Sequence, residues 1–212
     1  MGDKSSLNEN GPLIQMHMLP GGIKPVRKSE GAVGYDVAIR AIVSPTDMNP
    51  DNSVLRKVLC DFNSVPDDPA VAGHVHNLGH ELVYRIGPRE TVLVGIGFVT
   101  VLPIDMFYWI TPRSGLAGKY GITVTNAPGT VDSDYRGEAG VLVMNLRSND
   151  HFDLKYKMRI AQIIFQYAVH PQIEEIENYK DLAESVRGAG GFGSTGLRDE
   201  VQPHQVPQSN SK

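Results

Sequence analysis

Residues 91–111 read TVLVGIGFVTVLPIDMFYWIT, and this stretch decides the fold class. Two runs rich in Val, Ile and aromatic residues, Thr91–Leu102 and Met106–Thr111, flank a proline, which is typical of consecutive β-strands. Similar runs predict further strands at Leu13–Leu19, Tyr35–Val43, Glu81–Ile86, Ile122–Thr125, Glu138–Asn145, Phe152–Leu154 and Met158–Val169. Their regular spacing, with Gly and Pro between them, predicts an all-β fold, either an antiparallel sandwich or a barrel.

Residues 44–80 interrupt this spacing and predict a long insertion in the β core. The segment is rich in Pro, Asp and Asn, which indicates a long loop or a small lobe, and it has one helical pattern at Ser53–Phe62. A short helix is expected after Ser114, at Lys119–Gly121 or slightly before. The chain has no internal repeat and no alternation of strands with helices, which argues against a doubly wound nucleotide-binding sheet.

The composition is that of one globular domain. The chain has 212 residues, 41% of them hydrophobic, and a net charge of −4. A negative chain is a poor partner for long nucleic acids, and no run approaches the roughly 20 apolar residues that a membrane helix needs. The first residues, MGDKSSLNENGPLIQ, lack the apolar segment of a signal peptide, so a cytoplasmic protein is expected. The single cysteine, Cys60, cannot form an internal disulfide.

The polar ends of the chain are expected to lie outside the core. Residues 1–11 are expected to be flexible, and residues 12–170 to form the β core together with its insertion. Residues 171–196 form a C-terminal arm that ends in a glycine-rich motif. The tail 197–212 has almost no apolar side chains and is expected to be disordered.

That glycine-rich motif, RGAGGFGSTG at residues 187–196, is a candidate phosphate clamp. Glycine allows successive backbone N–H groups to point into one concavity, where Arg187, Ser194 and Thr195 can add further donors to an oxyanion. Phe192 offers a stacking face for a base. The alternative is a flexible linker to the tail.

Two internal segments also carry polar groups suited to a nucleotide. In TPRSGLA, residues 111–117, Arg113 and Ser114 follow a strand end and predict an anion site, although a solvated turn is the alternative. In GITVTNAPGTVDSDYRGE, residues 121–138, the turn at Asn126 has free main-chain groups that can read the edge of a planar base. Asp132 and Asp134 share one side of an extended chain. They are either a general base with its support or a charged solvent-facing surface.

Two shorter segments complete the set: GAVGYDVAI at residues 31–39, with Asp36 at a strand start, and RIAQIIF at residues 159–165, where Arg159 and Gln162 interrupt an apolar run. Each alone has a structural explanation. In their order along the chain, however, the five segments strongly resemble the five motifs of the homotrimeric deoxyuridine triphosphatase (dUTPase) family.

The resemblance implies a jelly-roll fold, a homotrimer whose active sites are shared between chains, and Mg²⁺-dependent hydrolysis of dUTP to dUMP and pyrophosphate. By this resemblance Asp132 activates the attacking water and Asp36 holds Mg²⁺ through water. Residues expected to bind the phosphates are Arg113, Ser114, Gly115, Gln162, Arg187, Gly193, Ser194 and Thr195. Residues expected to bind the uracil and deoxyribose are Asn126, Gly129, Thr130, Val131, Tyr135 and Phe192.

The insertion at 44–80 departs from the family pattern and leaves several readings open. His74, His76 and His80 have a spacing that can bind Zn²⁺ or Ni²⁺, or they belong to a surface loop. The insertion could also be a platform for a protein partner, which makes a regulatory binding protein of dUTPase fold one alternative function. A bifunctional dCTP deaminase and dUTPase is disfavoured because no carboxylate lies between Arg113 and Asp132. A general nucleotide-binding module is the remaining alternative.

Overall fold

The computed structural model of the protein describes residues 11–189, the side chains of Ser53 and Val54 excepted. The chain divides into two compact units, Met1–Val169 and His170–Lys212. The strands of the first unit are β1 (Gln15–Met18), β2 (Tyr35–Ala38), β3 (Ala41–Asn49), β4 (Asn52–Cys60), β5 (Val75–Leu78), β6 (Glu81–Ile86), β7 (Thr91–Gly95), β8 (Phe98–Val101), β9 (Met106–Pro112), β10 (Ile122–Val124), β11 (Gly129–Val131), β12 (Gly140–Asn145), β13 (Phe152–Lys155) and β14 (Arg159–Tyr167). Its two short helices are α1 (Pro69–Ala72) and α2 (Ser114–Tyr120).

The strands of this unit form antiparallel sheets, and this confirms the predicted all-β class. One sheet has five strands in the order β10-β12-β7-β3-β4, and another has four in the order β11-β9-β14-β2. Two smaller sheets have the orders β13-β6-β5 and β1-β8. Every strand pair of the described residues is antiparallel.

Side chains that alternate along each strand build the core between the sheets. In β9, Met106, Tyr108 and Ile110 are buried while the residues between them are half-buried, as expected for a strand with one face on the core. The strand β12 follows the same alternation, whereas in β14 the consecutive residues Ile160 and Ala161 are both buried next to an irregularity in its pairing with β2. Burial of apolar surface stabilises the fold by roughly 25 cal/mol per Å², so this shared core fixes the strand registers that position the loops.

The sequence predicts single strands at Tyr35–Val43 and Thr91–Leu102, and both predictions are wrong in detail because each run is broken in the middle. Gly97 separates β7 from β8 with a φ of 80°, which strongly favours glycine. A Cβ on Gly22 would lie 2.0 Å from the carbonyl oxygen of Gly97, so the two backbones meet closely. Buried Glu138 accepts from the Gly97 amide at 2.9 Å and forms an ion pair with Arg40, which lies between β2 and β3.

The predicted helix at Ser53–Phe62 is also wrong, because this part of the insertion is strand β4. β3 extends beyond the core to Asn49, and the chain returns along β4 as an antiparallel hairpin, here called the inserted hairpin (41–60). The spacing of the apolar residues in this run fits a helix as well as a strand, and the pairing with β3 makes the segment a strand. Val58 packs against the buried Ala41, Val43 and Leu93.

The rest of the insertion is also ordered rather than a long loop. Asp68 caps α1 by accepting from the Ala70 amide at 2.9 Å. The next strand, β5, pairs with β6. Farther along the chain, the short helix expected after Ser114 is confirmed as α2, and it ends at Gly121 in the left-handed conformation with a φ of 68°.

In the second unit, the described residues 170–189 contain one turn of 3₁₀ helix at Tyr179–Asp181. Asn178 caps this turn by accepting from the Lys180 amide at 3.1 Å. The predictions for the N-terminal residues 1–10, for the tail 197–212 and for Phe192, Gly193, Ser194 and Thr195 lie outside the described residues. No helix within 11–189 is long and apolar enough to cross a membrane.

Candidate active site

The turn between β10 and β11 forms one side of a cavity of about 240 Å³, here called the turn cavity. β11 pairs with β9 and β10 pairs with β12, so the sheets hold both ends of the turn. The sequence-predicted residues that line the cavity are Asn126, Thr130, Val131, Asp132 and Tyr135. The structure therefore brings the predicted base, sugar and water-activating residues together in one chain.

The turn cavity has both an apolar and a polar part. Leu93, Leu142 and Gly140 line it from the five-stranded sheet. Gly129 lies at the turn, where a Cβ would be 3.1 Å from the Asn126 amide nitrogen. Tyr135 donates its hydroxyl to the Glu138 carbonyl oxygen at 3.1 Å, which fixes the ring beside the cavity.

The Asp132 carboxylate is exposed at the cavity edge. Within residues 11–189 it takes part in no ion pair and no side-chain hydrogen bond, so its oxygens can accept from a water or a ligand. Asp134 is similarly exposed two residues later. The two aspartates share a second hollow with Tyr135 and Arg136.

A second group of predicted residues surrounds Asp36 and is here called the arginine cluster: Asp36, Arg113 and Arg159. The Asp36 carboxylate accepts from Arg113 Nε at 3.2 Å and from Arg159 Nη1 at 2.7 Å. Arg113 Nη1 also donates to the Arg159 carbonyl oxygen at 2.8 Å. One carboxylate thus holds two arginine side chains next to each other, and arginine is a frequent partner of carboxylate and phosphate oxygens.

Gln162, Ser114 and Gly115 lie next to the arginine cluster. Gln162 pairs with Asp36 across β14 and β2, and its Nε2 donates to the Pro112 carbonyl oxygen at 3.2 Å. A Cβ on Gly34 would lie 2.2 Å from Gln162 Oε1, so a larger residue there would displace the Gln162 amide. Ser114 and Gly115 form the exposed first turn of α2, directly after Arg113.

Within one chain the arginine cluster and the turn cavity are far apart. β11 and β2 are the opposite edges of the four-stranded sheet. Val131, which precedes Asp132, pairs with Tyr108, five residues before Arg113. At about 3.4 Å per residue, Arg113 and Val131 are separated by roughly 17 Å along β9, and the register places Asp132 farther from Arg113 still. Arg187 belongs to the second unit.

Metal binding by His74, His76 and His80, one of the two alternatives that their spacing allows, is not supported by the structure. Residues 11–189 contain no group of three or more His, Cys, Asp or Glu side chains that could hold a metal ion. His74 is instead stacked on Tyr84 with ring centroids 5.0 Å apart, and its Nδ1 lies 2.9 Å from the Arg85 carbonyl oxygen. Burial raises the pKa of Tyr84 to about 12. The segment is not a surface loop either, because His74 directly precedes β5, His76 lies within β5, and His80 lies in the turn between β5 and β6.

Sequence reasoning missed one charged residue at the turn cavity. Arg56 of β4 lines it together with Asp132 and Tyr135. The available signal is a pair of basic side chains, Arg56 and Lys57, inside an apolar run, but the spacing of this run also predicts a helix. A helix would have given no reason to associate Arg56 with residues 126–135.

The comparisons with known proteins agree with this geometry. A family model described as dUTPase matches residues 77–196, more than half of the chain.

This chain belongs to the dUTPase family.

The matched region contains Arg113, Gln162 and every lining residue of the turn cavity except Arg56, whereas Asp36 and the inserted hairpin precede it. The deoxyuridine 5'-triphosphate nucleotidohydrolase of Nautilia profundicola is 50% identical over 111 residues, which are 52% of this chain and 75% of that protein. Its counterpart in Heliobacterium modesticaldum is 44% identical over 121 residues, which are 57% of this chain and 72% of that protein.

Solved structures of phage dUTPases share the fold. The Staphylococcus bacteriophage 80alpha dUTPase with dUpNHpp aligns with a TM-score of 0.62 and 17% identity, over 87% of this chain and 99% of that chain. A mutant dUTPase from phage phi11 of S. aureus, described with a structural Mg(II) ion, aligns with a TM-score of 0.55 and 13% identity, over 79% and 99% of the two chains. At these identities the likeness concerns the fold alone.

Proposed function

We propose that this protein is a dUTP diphosphatase, which hydrolyses dUTP to dUMP and pyrophosphate. The observation that carries the proposal is the match to the dUTPase family over residues 77–196. The gathering of Asn126, Asp132 and Tyr135 around one cavity of suitable size supports it. In a cell this reaction limits uracil incorporation into DNA and supplies the precursor of dTMP.

In this proposal Asp132 orients and deprotonates the water that attacks the α-phosphate. An exposed carboxylate without a protein partner can accept the hydrogen bond of a water directly. In phosphoryl transfer the protein contributes mainly by orienting the nucleophile and neutralising charge. General bases of this kind contribute about a hundredfold to ten-thousandfold in rate.

The turn at residues 126–129 selects uracil through its main-chain groups and the Asn126 amide. Cytosine presents a donor where uracil has the O4 acceptor, and a buried mismatch of this kind is expensive. Gly129, Thr130 and Val131 continue the contact along β11, which leaves little room for the C5 methyl group of thymine. Tyr135 packs beneath the deoxyribose and excludes a 2′-hydroxyl.

The triphosphate binds at Arg113, Ser114, Gly115 and Gln162, where the arginine cluster supplies the positive charge that the whole chain lacks. Arg187 and the motif that follows it, with Phe192, Gly193, Ser194 and Thr195, close over the substrate. In this proposal Phe192 stacks on the uracil ring and the hydroxyls of Ser194 and Thr195 donate to the terminal phosphate.

Mg²⁺ is the proposed cofactor, and Asp36 would hold it through water. Both Asp36 oxygens already accept from arginines, and the side chain is only 13% exposed. Each carboxylate oxygen retains a second lone pair. This donor set therefore fits a water-mediated contact better than direct coordination, in agreement with the tendency of Mg²⁺ to keep its water shell. When bound, the ion would neutralise charge on the phosphate oxygens.

We further propose a homotrimer in which each active site combines residues of different chains. Arg113 and Asp132 have to reach the same nucleotide, and their separation of more than about 17 Å along β9 favours a site to which different chains contribute them. An apolar hollow of about 990 Å³, with exposed Leu13 and Val33 on its rim, offers a surface that a second chain can cover. Sedimentation should give three times the mass of the chain.

We also propose that this enzyme is located in the cytoplasm.

The test is a comparison of nucleotides in the presence of Mg²⁺. Purified protein is incubated separately with dUTP, dCTP, dTTP and UTP, and the release of pyrophosphate is followed. We expect turnover of dUTP alone. Comparable release from UTP or dTTP would contradict the proposed selectivity, and conversion of dCTP to a uracil nucleotide would favour the deaminase alternative.

A further inference from the structure

We propose that Arg56 of the inserted hairpin is a nucleotide-binding residue of the turn cavity. The inference rests on the proposed function, since it names a substrate contact for the same reaction. Arg56 lines the 240 Å³ turn cavity with Asn126, Asp132 and Tyr135. It also lines the adjoining hollow of about 460 Å³ that holds Asp134 and Arg136. A residue from outside the five motifs is thereby added to the site.

The alternation of side chains along β4 places Arg56 on the face of the sheet that borders the turn cavity. Val58, two residues later, packs against the apolar cluster of Ala41, Val43 and Leu93. Residues two apart on a strand point to the same side. Arg56 therefore lies on the same face of the sheet as Leu93, which lines the turn cavity. Its cross-strand partner Met48 lines the adjoining hollow.

An irregularity in β3 holds the guanidinium in place. Between the pairs Val43–Val58 and Met48–Arg56, β3 contains more residues than β4 and bulges out. The Ser44 hydroxyl accepts from the Asp47 amide at 2.9 Å and donates to the Asp47 carboxylate at 3.0 Å, which stabilises the bulge. Arg56 Nη1 donates to the bulge carbonyl of Pro45 at 2.6 Å.

The other donors of the guanidinium remain for a ligand. Within residues 11–189, Nε and Nη2 of Arg56 have no hydrogen-bond partner, and no ion pair joins Arg56 to Asp132 or Asp134. The side chain is nevertheless half-buried. A pyrimidine nucleotide supplies acceptors for Nε and Nη2, because its carbonyl and phosphate oxygens accept hydrogen bonds from a planar cation.

The role differs from that of Asp132, because Arg56 holds the nucleotide without taking part in proton transfer. Its contribution is therefore to binding in the ground state and the transition state alike, which changes KM and leaves kcat nearly unchanged. Loss of a hydrogen bond to a charged group weakens binding by about tenfold to a hundredfold.

The experiment compares R56Q, R56K and the matched control K57Q. Lys57 is the exposed neighbour on the opposite face of β4, so K57Q removes the same charge away from the cavity. For each protein, kcat and KM for dUTP are measured, together with the Kd of the non-hydrolysable analogue dUpNHpp and the midpoint of thermal unfolding. We expect R56Q to raise KM and Kd by about tenfold to a hundredfold, R56K to recover part of this loss, and K57Q to match the unchanged protein.

Two results would overturn the inference while leaving the proposed function intact. One is an R56Q variant that hydrolyses dUTP with unchanged KM and Kd. The other is a fall in kcat and in the unfolding midpoint together in both R56Q and R56K, which would assign Arg56 to hairpin stability. If the unchanged protein neither hydrolyses dUTP nor binds dUpNHpp, the proposed function itself fails, and the inference fails with it.

Discussion

The two parts of the candidate active site treat their carboxylates in opposite ways. In the arginine cluster, Asp36 is largely shielded and accepts from two guanidinium groups at 3.2 and 2.7 Å. In the turn cavity, Asp132 is exposed, and within residues 11–189 it has no charged partner. Both side chains belong to predicted motifs, but only one is already committed to other groups of the protein.

This difference indicates a division of labour. A carboxylate that is paired with two arginines fixes their geometry before a ligand arrives, so that less ordering is needed on binding. A carboxylate without partners keeps its lone pairs for a water. The first arrangement suits a group that positions a triphosphate, and the second suits a group that performs a proton transfer. Replacing each aspartate with asparagine should therefore change activity and nucleotide binding to different extents.

The largest expected effect is that of Asp132→Asn. The amide has nearly the same shape but cannot accept a proton from water, so kcat for dUTP should fall by about a hundredfold to ten-thousandfold. Binding of dUpNHpp should change little, because the cavity keeps its form. Pyrophosphate release and analogue titration measure the two quantities.

Asp134→Asn is the matched control for this substitution, because Asp134 is an exposed carboxylate of the same segment. We expect its kcat to stay within about threefold of the unchanged protein, since exposed substitutions of this kind are usually mild. Equal losses in the two variants would show that local charge, and not a specific base, is what the reaction needs.

Asp36→Asn should have a smaller effect of a different kind. It removes the charge that holds Arg113 and Arg159 together, so the phosphate surface loses its fixed geometry. We expect kcat/KM for dUTP to fall by about tenfold to a hundredfold, the range for a lost hydrogen bond between charged groups. The Kd of dUpNHpp should rise by a comparable factor, in contrast to Asp132→Asn.

Asp150→Asn breaks a different ion pair and serves as the control. Asp150 accepts from Arg147 at 2.8 Å on the exposed surface, where such pairs contribute little to stability. Its activity should match that of the unchanged protein. An Asp36 variant that binds the analogue normally and loses only kcat would contradict the positioning role.

Much of the fold followed from the sequence because local alternation and core burial agreed. Glu81–Ile86 forms the predicted strand without a shift, and Met106–Thr111 differs by one residue. The inserted hairpin could not be predicted, because Val54, Leu55, Val58 and Leu59 fit the spacing of a helix as well as that of a strand. Only pairing with β3, a contact distant from the motifs, decides between them.

The candidate site shows the same limit. Asn126, Asp132 and Tyr135 belong to one continuous segment, so their common cavity was predictable from a short turn. Arg56 enters that cavity through long-range sheet pairing, and no local pattern contains that information. The pairing of Asp36 with Arg159 also depends on β2 and β14 being neighbours, although they are more than one hundred residues apart in the chain. A protein partner for residues 44–80 stays a prediction.

Asp153 offers the mildest test of what pairing does to a carboxylate, because its side chain is 23% exposed, against 13% for Asp36. The Arg85 guanidinium donates to both Asp153 oxygens at 2.7 and 3.0 Å and thereby lowers the pKa of Asp153 below its usual value. A carboxyl group whose pKa is lower in the folded than in the unfolded state stabilises the fold above its ordinary pKa of about 4, and this stabilisation is lost as the pH falls through the folded-state pKa. The free energy of unfolding of the unchanged protein should therefore exceed that of Asp153→Asn at pH 7, and the difference should shrink below about pH 4.

Denaturant unfolding of both proteins from pH 7 to pH 3 measures this difference in the free energy of unfolding. Repeating the measurement with Arg85→Gln in both backgrounds should remove most of the difference. A difference that grows as the pH falls would mean that Arg85 does not stabilise the ionised form.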